Sequence, residues 1–196
     1  DRATNKREYV SPKPNKDEKP FRFNWQTPIL LSSHNQDILY MGSNFLHRSM
    51  NQGQTWTAIS PDLTQGAKEG NVAFGTIAAI SESTLQFGLL YAGSDDGLIH
   101  VSKDGGATWN KISGNLPQNR WVSRVVASAH KKERVYATLN GYRNDDFTSY
   151  VFMSDDFGQS WKNIANNLPV SPVNVIVEDN VNENVLYVGT DNGLYV

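Results

Sequence analysis

Ser102-Lys103-Asp104-Gly105-Gly106-Ala107-Thr108-Trp109 has two echoes in the same chain, Ser49-Met50-Asn51-Gln52-Gly53-Gln54-Thr55-Trp56 and Ser154-Asp155-Asp156-Phe157-Gly158-Gln159-Ser160-Trp161. All three follow Ser-x-Asp/Asn-x-Gly-x-Thr/Ser-Trp, and Trp56, Trp109 and Trp161 stand 53 and 52 residues apart. That period suits four short strands and their turns. The motif has the chemistry of a turn. Its Asp or Asn side chain accepts hydrogen bonds from backbone N–H groups about two residues on. Gly53, Gly106 and Gly158 fit a backbone conformation costly for other residues, and the Trp offers a large apolar body to bury between sheets. A rival reading makes Asp104 or Asp156 a catalytic acid or metal ligand. Recurrence at three equivalent places favours architecture, since an active site needs such a group once. Asn51 adds to this, because an amide caps a turn but cannot act as a general acid. Ser49, Asn51, Gly53 and Trp56, Ser102, Asp104, Gly106 and Trp109, and Ser154, Asp156, Gly158 and Trp161 are therefore assigned to structure.

A second marker runs in register: Leu39-Tyr40-Met41-Gly42-Ser43, Leu90-Tyr91-Ala92-Gly93-Ser94, Val135-Tyr136-Ala137-Thr138 and Leu186-Tyr187-Val188-Gly189-Thr190. Apolar runs at Gly75 to Ile80, Val122 to Ser128 and Val173 to Glu178 suit inner strands, and Asp95-Asp96-Gly97 suits a tight hairpin turn. No amphipathic helix is evident. The chain is expected to be all-β: about three four-stranded antiparallel propeller blades and the start of a fourth, part of a larger wheel. The expected units are 28–60, 75–113, 122–165 and a partial 173–196. Residues 1–20, with Pro12, Pro14 and Pro20 among charged residues, read as a linker or edge-covering segment.

Composition narrows the function classes. The 196 residues carry a formal net charge of −2, are 19% charged with mixed signs, and include no cysteine. No basic cluster offers itself to nucleic acid or a membrane surface. Disulfides, thiolate metal sites and a cysteine nucleophile are excluded. No apolar stretch is long enough to span a bilayer, and Asp1-Arg2-Ala3-Thr4-Asn5 reads as a mature or excised beginning rather than a signal peptide. His34, His47, His100 and His130 lack metal-ligand spacing and read as solvated strand or turn positions. No cofactor or metal is expected.

The tryptophan-ended turns resemble the Asp-box repeats of sialidases, xyloglucan-degrading glycoside hydrolases and sortilin-type receptor propellers. The nearest resemblance is to large bacterial repeat proteins labelled glycosyl hydrolase or sortilin-like. It covers roughly residues 20 to 196 and is carried by Arg22-Phe23-Asn24-Trp25-Gln26-Thr27-Pro28, Thr55 to Thr64, Trp121-Val122-Ser123-Arg124-Val125, Asn140 to Phe147 and Tyr150-Val151-Phe152. The resemblance implies a β-propeller and a secreted, periplasmic or cell-surface setting. It leaves the reaction open. Phe21-Arg22-Phe23-Asn24 lacks the Pro of the sialidase arginine motif, so Arg22 reads as lying beside an ordinary strand. Xyloglucan-degrading enzymes place their acids between two propellers, so a paired-carboxylate site would be incomplete in this chain. No catalytic residue is assigned.

One turn departs from the repeat. Where other units use Ser94-Asp95-Asp96-Gly97 or Thr190-Asp191-Asn192-Gly193, the third uses Asn140 through Ser149. Blade topology puts that insertion on the same face as the preceding crossover. Arg120, Trp121, Arg124, Tyr142, Arg143, Asp145 and Asp146 then form a candidate binding face, suited to stacking on sugar rings or gripping an acidic peptide. The plainer alternative pairs Arg143 or Arg124 with Asp145 or Asp146 to pin the loop, with Trp121 packing between blades. Pro61 to Gly75 reads as a mobile connector whose Asp62 has no nameable partner. Two functions stay open: a non-catalytic module binding a protein, peptide or glycan, and part of a polysaccharide-cleaving glycoside hydrolase. The first is preferred because no acid pair stands out from the scaffold. An arc with open strand edges is also expected to self-associate.

Overall fold

The computed structural model describes residues 4–5, 9–70 and 74–196. Among these, fifteen strands form four antiparallel sheets, each ordered as in sequence. The first sheet holds β1 (Ile29–Leu31), β2 (Leu39–Gly42), β3 (Leu46–Ser49) and β4 (Thr57–Ala58). The second holds β5 (Ile77–Glu82), β6 (Leu90–Ser94), β7 (Ile99–Ser102) and β8 (Asn110–Lys111). The third holds β9 (Trp121–Ala127), β10 (Val135–Gly141), β11 (Asp146–Ser154) and β12 (Lys162–Asn163). The fourth holds only β13 (Val173–Glu178), β14 (Leu186–Thr190) and β15 (Gly193–Tyr195). These are propeller blades, and the core lies between them. Ile38, Tyr40, Leu46 and Leu63 of the first blade meet Ile77, Leu90 and Ala92 of the second. Leu89, Tyr91 and Ile99 meet Val122, Val125 and Leu139 at the next junction.

Each motif turn is held from within and staples two blades. The Ser102 hydroxyl accepts from Gly106 N at 2.8 Å, while Asp104 accepts from Thr108 N at 2.9 Å and Thr108 Oγ1 at 2.6 Å. The reach is four residues, longer than an ordinary Asx turn. Thr108 at Asp104 and the equivalent Ser160 at Asp156 hold the two carboxyls down to about 2. The Trp is half-buried, and its indole N–H crosses to the preceding blade. Trp109 donates to the Ile59 carbonyl at 2.8 Å and Trp161 to the Ile112 carbonyl at 2.7 Å. Trp56 donates to the Val10 carbonyl. Val10-Ser11-Pro12 thus stands against the first blade as Ile59-Ser60-Pro61 stands against the second, with Pro12 buried.

The histidines depart from expectation. His34 and His130 lie in turns, and each reaches the next blade's backbone, at Ser83 O and Asp179 O, both 2.8 Å away. His47 is buried and His100 half-buried. They hold one repeat position, opposite Met41 and Ala92, which Phe152 fills in the third blade. His47 is 1% exposed among Phe21, Phe23 and Phe45, with the Ser43 hydroxyl 2.7 Å from its Nε2. Desolvation brings His47 and His100 down to about 4, with Lys111 adding to the effect at His100.

An unfolded imidazole titrates near 6.5, so between roughly pH 6.5 and 4 the unfolded chain binds protons that the folded one refuses. Stability is full above that window and falls with pH by about 1.4 kcal/mol per unit per histidine. Asp95, whose carboxyl burial raises, opposes this at the acid end. The urea midpoint is expected to drop between pH 7 and 5, and replacing both histidines by Phe to flatten the profile. An unchanged midpoint in the parent chain would contradict the buried neutral state.

Candidate functional site

The inner strands β5, β9 and β13 share an irregularity. In each, the ladder with the second strand shifts register near the inner strand's N-terminal end, skipping Ala78, Ser123 and Asn174. Such bulges re-aim side chains. Together with Gln26, Thr27 and Pro28 ahead of β1, these strands line an open groove of about 790 Å³ along the concave side of the arc. Trp121, Arg124, Asn140, Tyr142, Arg143 and Asp191 complete its wall. At the position after the bulge the repeat offers Ala79, Arg124 and Val175, so only the third blade places a charge there.

The insertion is an extended hairpin rather than a loop. The β10–β11 ladder runs out to the pair Gly141 and Asp146, and a 3₁₀ turn at Tyr142–Asn144 closes it. Asp145 ends that turn in the left-handed region, at φ 54°. Arg120 Nε donates to Asp146 Oδ2 at 2.8 Å, Tyr150 OH donates to the same oxygen at 2.9 Å, and these donors hold the Asp146 carboxyl far below its ordinary range. That pair holds the hairpin where its ladder meets the closing turn.

The seven candidate residues therefore separate. Arg120, Asp145 and Asp146 build the hairpin, while Trp121, Arg124, Tyr142 and Arg143 line the groove. The Arg143 guanidinium lies 4.2 Å from the Trp121 ring centroid. Arg124 donates to its neighbour's carbonyl, Ser123 O, at 2.7 Å. Neither Arg124 nor Arg143 has an ion pair among the described residues, in contrast to the pairing with Asp145 or Asp146 weighed from sequence. Tyr142 is 59% exposed. Sequence reading missed Asn140, Asn174 and Asp191, which form a hydrogen-bonded row with Asn140 Nδ2 to Asn174 Oδ1 at 2.8 Å and Asn174 Nδ2 to Asp191 Oδ1 at 2.7 Å. Their signal was available as the equivalence of Asn174 with the bulge residue Ser123.

Two other sequence readings are corrected. Asp62 has partners: Arg22 Nη2 donates to it at 2.7 Å and Asn44 Nδ2 at 2.9 Å. Arg22 also donates to Gly75 O and Thr64 Oγ1, so it ties down the two described ends of the connector, of which residues 71–73 lie outside the description. Asp95 and Asp96 do more than turn a hairpin. Asp95 accepts from Gly75 N, Thr76 N and Thr76 Oγ1 at 2.7–3.0 Å, and Asp96 accepts from Gln65 N at 2.6 Å. Both are buried because they satisfy the crossover's backbone.

The family model described as "Sortilin, neurotensin receptor 3" (Sortilin-Vps10) matches residues 44–193. No curated protein matches the chain. Among solved structures, an ancestral GH74 enzyme superposes with TM-score 0.68 at 18% identity, covering 89% of this chain and 23% of its own. The GH74 xyloglucanase from Xanthomonas campestris gives TM-score 0.63 at 18% identity, covering 89% of this chain and 29% of its own. YCF48 bound to D1 peptide gives TM-score 0.50 at 16% identity, covering 83% and 48%. The chain thus spans about a quarter of the length of the GH74 structures. At these identities the likeness shows the propeller fold.

Proposed function

Because the chain belongs to the Sortilin-Vps10 family, we propose that it works as a non-catalytic binding module whose groove takes up an extended, carboxylate-bearing peptide. The carrying observation is that the groups departing from the repeat, Trp121, Arg124, Tyr142 and Arg143, converge in one groove. Repeated groups serve the scaffold, whereas a binding site needs its groups once. Two guanidiniums without carboxylate partners among the described residues favour an anionic ligand, and guanidinium geometry favours a carboxylate. The Asn140–Asn174–Asp191 row offers donors and acceptors for a peptide backbone. The YCF48 structure, with its D1 peptide, is a precedent for a peptide on such a fold. The hydrolase reading draws on the GH74 neighbours alone. Asp191 is the single carboxylate among the described groove-lining residues, whereas glycoside hydrolysis by acid and base takes two.

Fluorescence anisotropy with a labelled, glutamate-rich peptide containing tyrosine is the direct test. Arg124→Ala and Arg143→Ala are each expected to weaken binding about tenfold or more, the worth of one charge-assisted hydrogen bond. Added salt should weaken it further. Binding indifferent to both substitutions, or release of reducing sugar from xyloglucan that is lost with Asp191→Asn, would turn the assignment toward the alternative.

A further inference from the structure

The outer rim departs from the repeat where the second blade's outer strand meets the third blade's motif turn. At the junction of the first and second blades, Arg48 on β3 crosses the equivalent wedge, its Nη1 donating to the Gly105 carbonyl at 3.1 Å. Val101 on β7 takes the place of Arg48, since the one faces Asn110 and the other Thr57 across matching ladders. Its shorter side chain leaves a pocket of about 450 Å³. Lys103, Asn110, Lys111, Asn115, Phe157 and Gln159 line it together with Gly114. Met50 and Ala58 stand where the two lysines do, Gly105 where Phe157 does, and Asp62 where Asn115 does. Of the two junctions, the second thus gains two cations and an aromatic ring and loses a carboxylate.

Phe157 lies at φ 62°, where a bulky side chain is strained. Gly105 completes the same turn in the second blade without that cost. Strain of this kind gathers at ligand clamps. The Phe157 ring holds Lys103 Nζ 3.8 Å from its centroid, which fixes the ammonium beside the pocket. Neither Lys103 nor Lys111 has an ion pair among the described residues, and the described lining includes no carboxylate.

We infer that this pocket binds an acidic glycan, a sugar chain bearing sulfate or carboxylate groups. A lysine acts as a point charge and suits an anionic substituent that is free to turn. The amides of Asn110, Asn115 and Gln159 donate and accept, as sugar hydroxyls require. A peptide that joins by its backbone needs a sheet edge, and β8, the outermost strand here, is two residues long. The site is separate from the groove, which is built on the inner strands and carries arginines.

Calorimetric titration of the 196-residue chain with trigalacturonate, sulfated maltotriose, neutral maltotriose and triglutamate tests this. At least one acidic sugar should bind about tenfold or more tighter than neutral maltotriose and triglutamate, as one charge-assisted hydrogen bond allows. The two acidic arms tell carboxylate from sulfate. Lys103→Ala and Lys111→Ala should each weaken binding by a similar factor. Gly114→Leu is the steric test. Gly114 lies outside the left-handed region and a Cβ there would meet nothing within 4 Å, so the fold should stand. The leucine fills the pocket while both lysines remain, and it should abolish binding, whereas diffuse attraction to a basic surface would survive it. Arg124→Ala, which probes the groove, should leave this titration unchanged, so the two ideas fail separately. No heat with either acidic sugar, equal binding of neutral maltotriose or triglutamate, indifference to the lysine substitutions, binding retained in Gly114→Leu, or loss with Arg124→Ala overturns the inference.

Discussion

Gly106→Ala and Gly158→Ala are each expected to destabilise the arc by about 2–5 kcal/mol, enough to abolish folding of a marginal domain. Two costs combine. Both glycines lie in the left-handed region, at φ 96° and 87°, which costs an L side chain about 1–2 kcal/mol. Their open side also faces the neighbouring blade. A Cβ on Gly106 would stand 2.7 Å from Ile59 O and 2.9 Å from Ile59 Cβ, and one on Gly158 would run into the Ile112 side chain. Overpacking of that kind costs about 1–3 kcal/mol. Ile59 and Ile112 are the residues whose carbonyls take the Trp109 and Trp161 indoles, so neither can retreat without breaking the staple. The preceding position is a control. Gln52 and Phe157 occupy it with φ 58° and 62°, so Gly105→Ala should lose only the conformational term, about 1 kcal/mol. Urea titration followed by tryptophan fluorescence reads the difference. Equal midpoints for Gly105→Ala and Gly106→Ala would show that the blades do not meet at this turn.

Glu178→Ala is expected to cost about 3–5 kcal/mol, because three donors lose their acceptor at about 1–3 kcal/mol for each one that stays buried. Oε1 takes the Tyr136 and Ser128 hydroxyls at 2.9 and 2.8 Å, and Oε2 takes Ala129 N at 2.7 Å. Tyr136 is 1% and Ser128 0% exposed, so their donors would find no water in place of the carboxylate. The junction of the second and third blades supplies the counter-experiment. Tyr91 OH is buried with no partner among the described residues, so Tyr91→Phe removes a desolvated hydroxyl and should be neutral or slightly stabilising. Changing Tyr136→Phe together with Glu178→Leu should recover only the part of the loss due to the phenol, because the Ser128 hydroxyl and Ala129 N–H stay without their acceptor. Thermal unfolding of the three variants would sink this account if Tyr91→Phe proved as costly as Glu178→Ala.

The blades were legible because their signals are local and repeated. The Ser–Asp–Gly–Trp turn, the Leu-Tyr-x-Gly strand and the period of about 52 residues each need only a few neighbouring residues. The third blade's long turn was legible as a departure from that repeat, which is how Trp121, Arg124, Tyr142 and Arg143 could be named together. What became of the seven candidates was not legible. Whether Asp146 pairs with Arg120, Arg124 or Arg143 depends on how far the β10–β11 ladder runs before it turns, and Arg120 wins because the last rung of that ladder brings Asp146 within its reach. Asn174 and Asp191 were hidden for a related reason. They enter the groove through a bulge that recurs in structure at Ala78, Ser123 and Asn174 without a shared side chain.

Asp62, His47 and His100 show the same limit. Asp62 meets Arg22 across 40 residues of sequence, and the two histidines look like ordinary alternate-strand polar residues until a neighbouring blade or the N-terminal phenylalanines close over them. The sequence by itself determined the blade, its turn chemistry and its number of copies, since those follow from hydrogen bonds and periodicities within about fifty residues. Only the tertiary structure decided which charges are paired and which histidines are withdrawn from solvent. Those depend on the stacking of one sheet on the next, and burial and pairing energies exist only once that stacking has expelled the water.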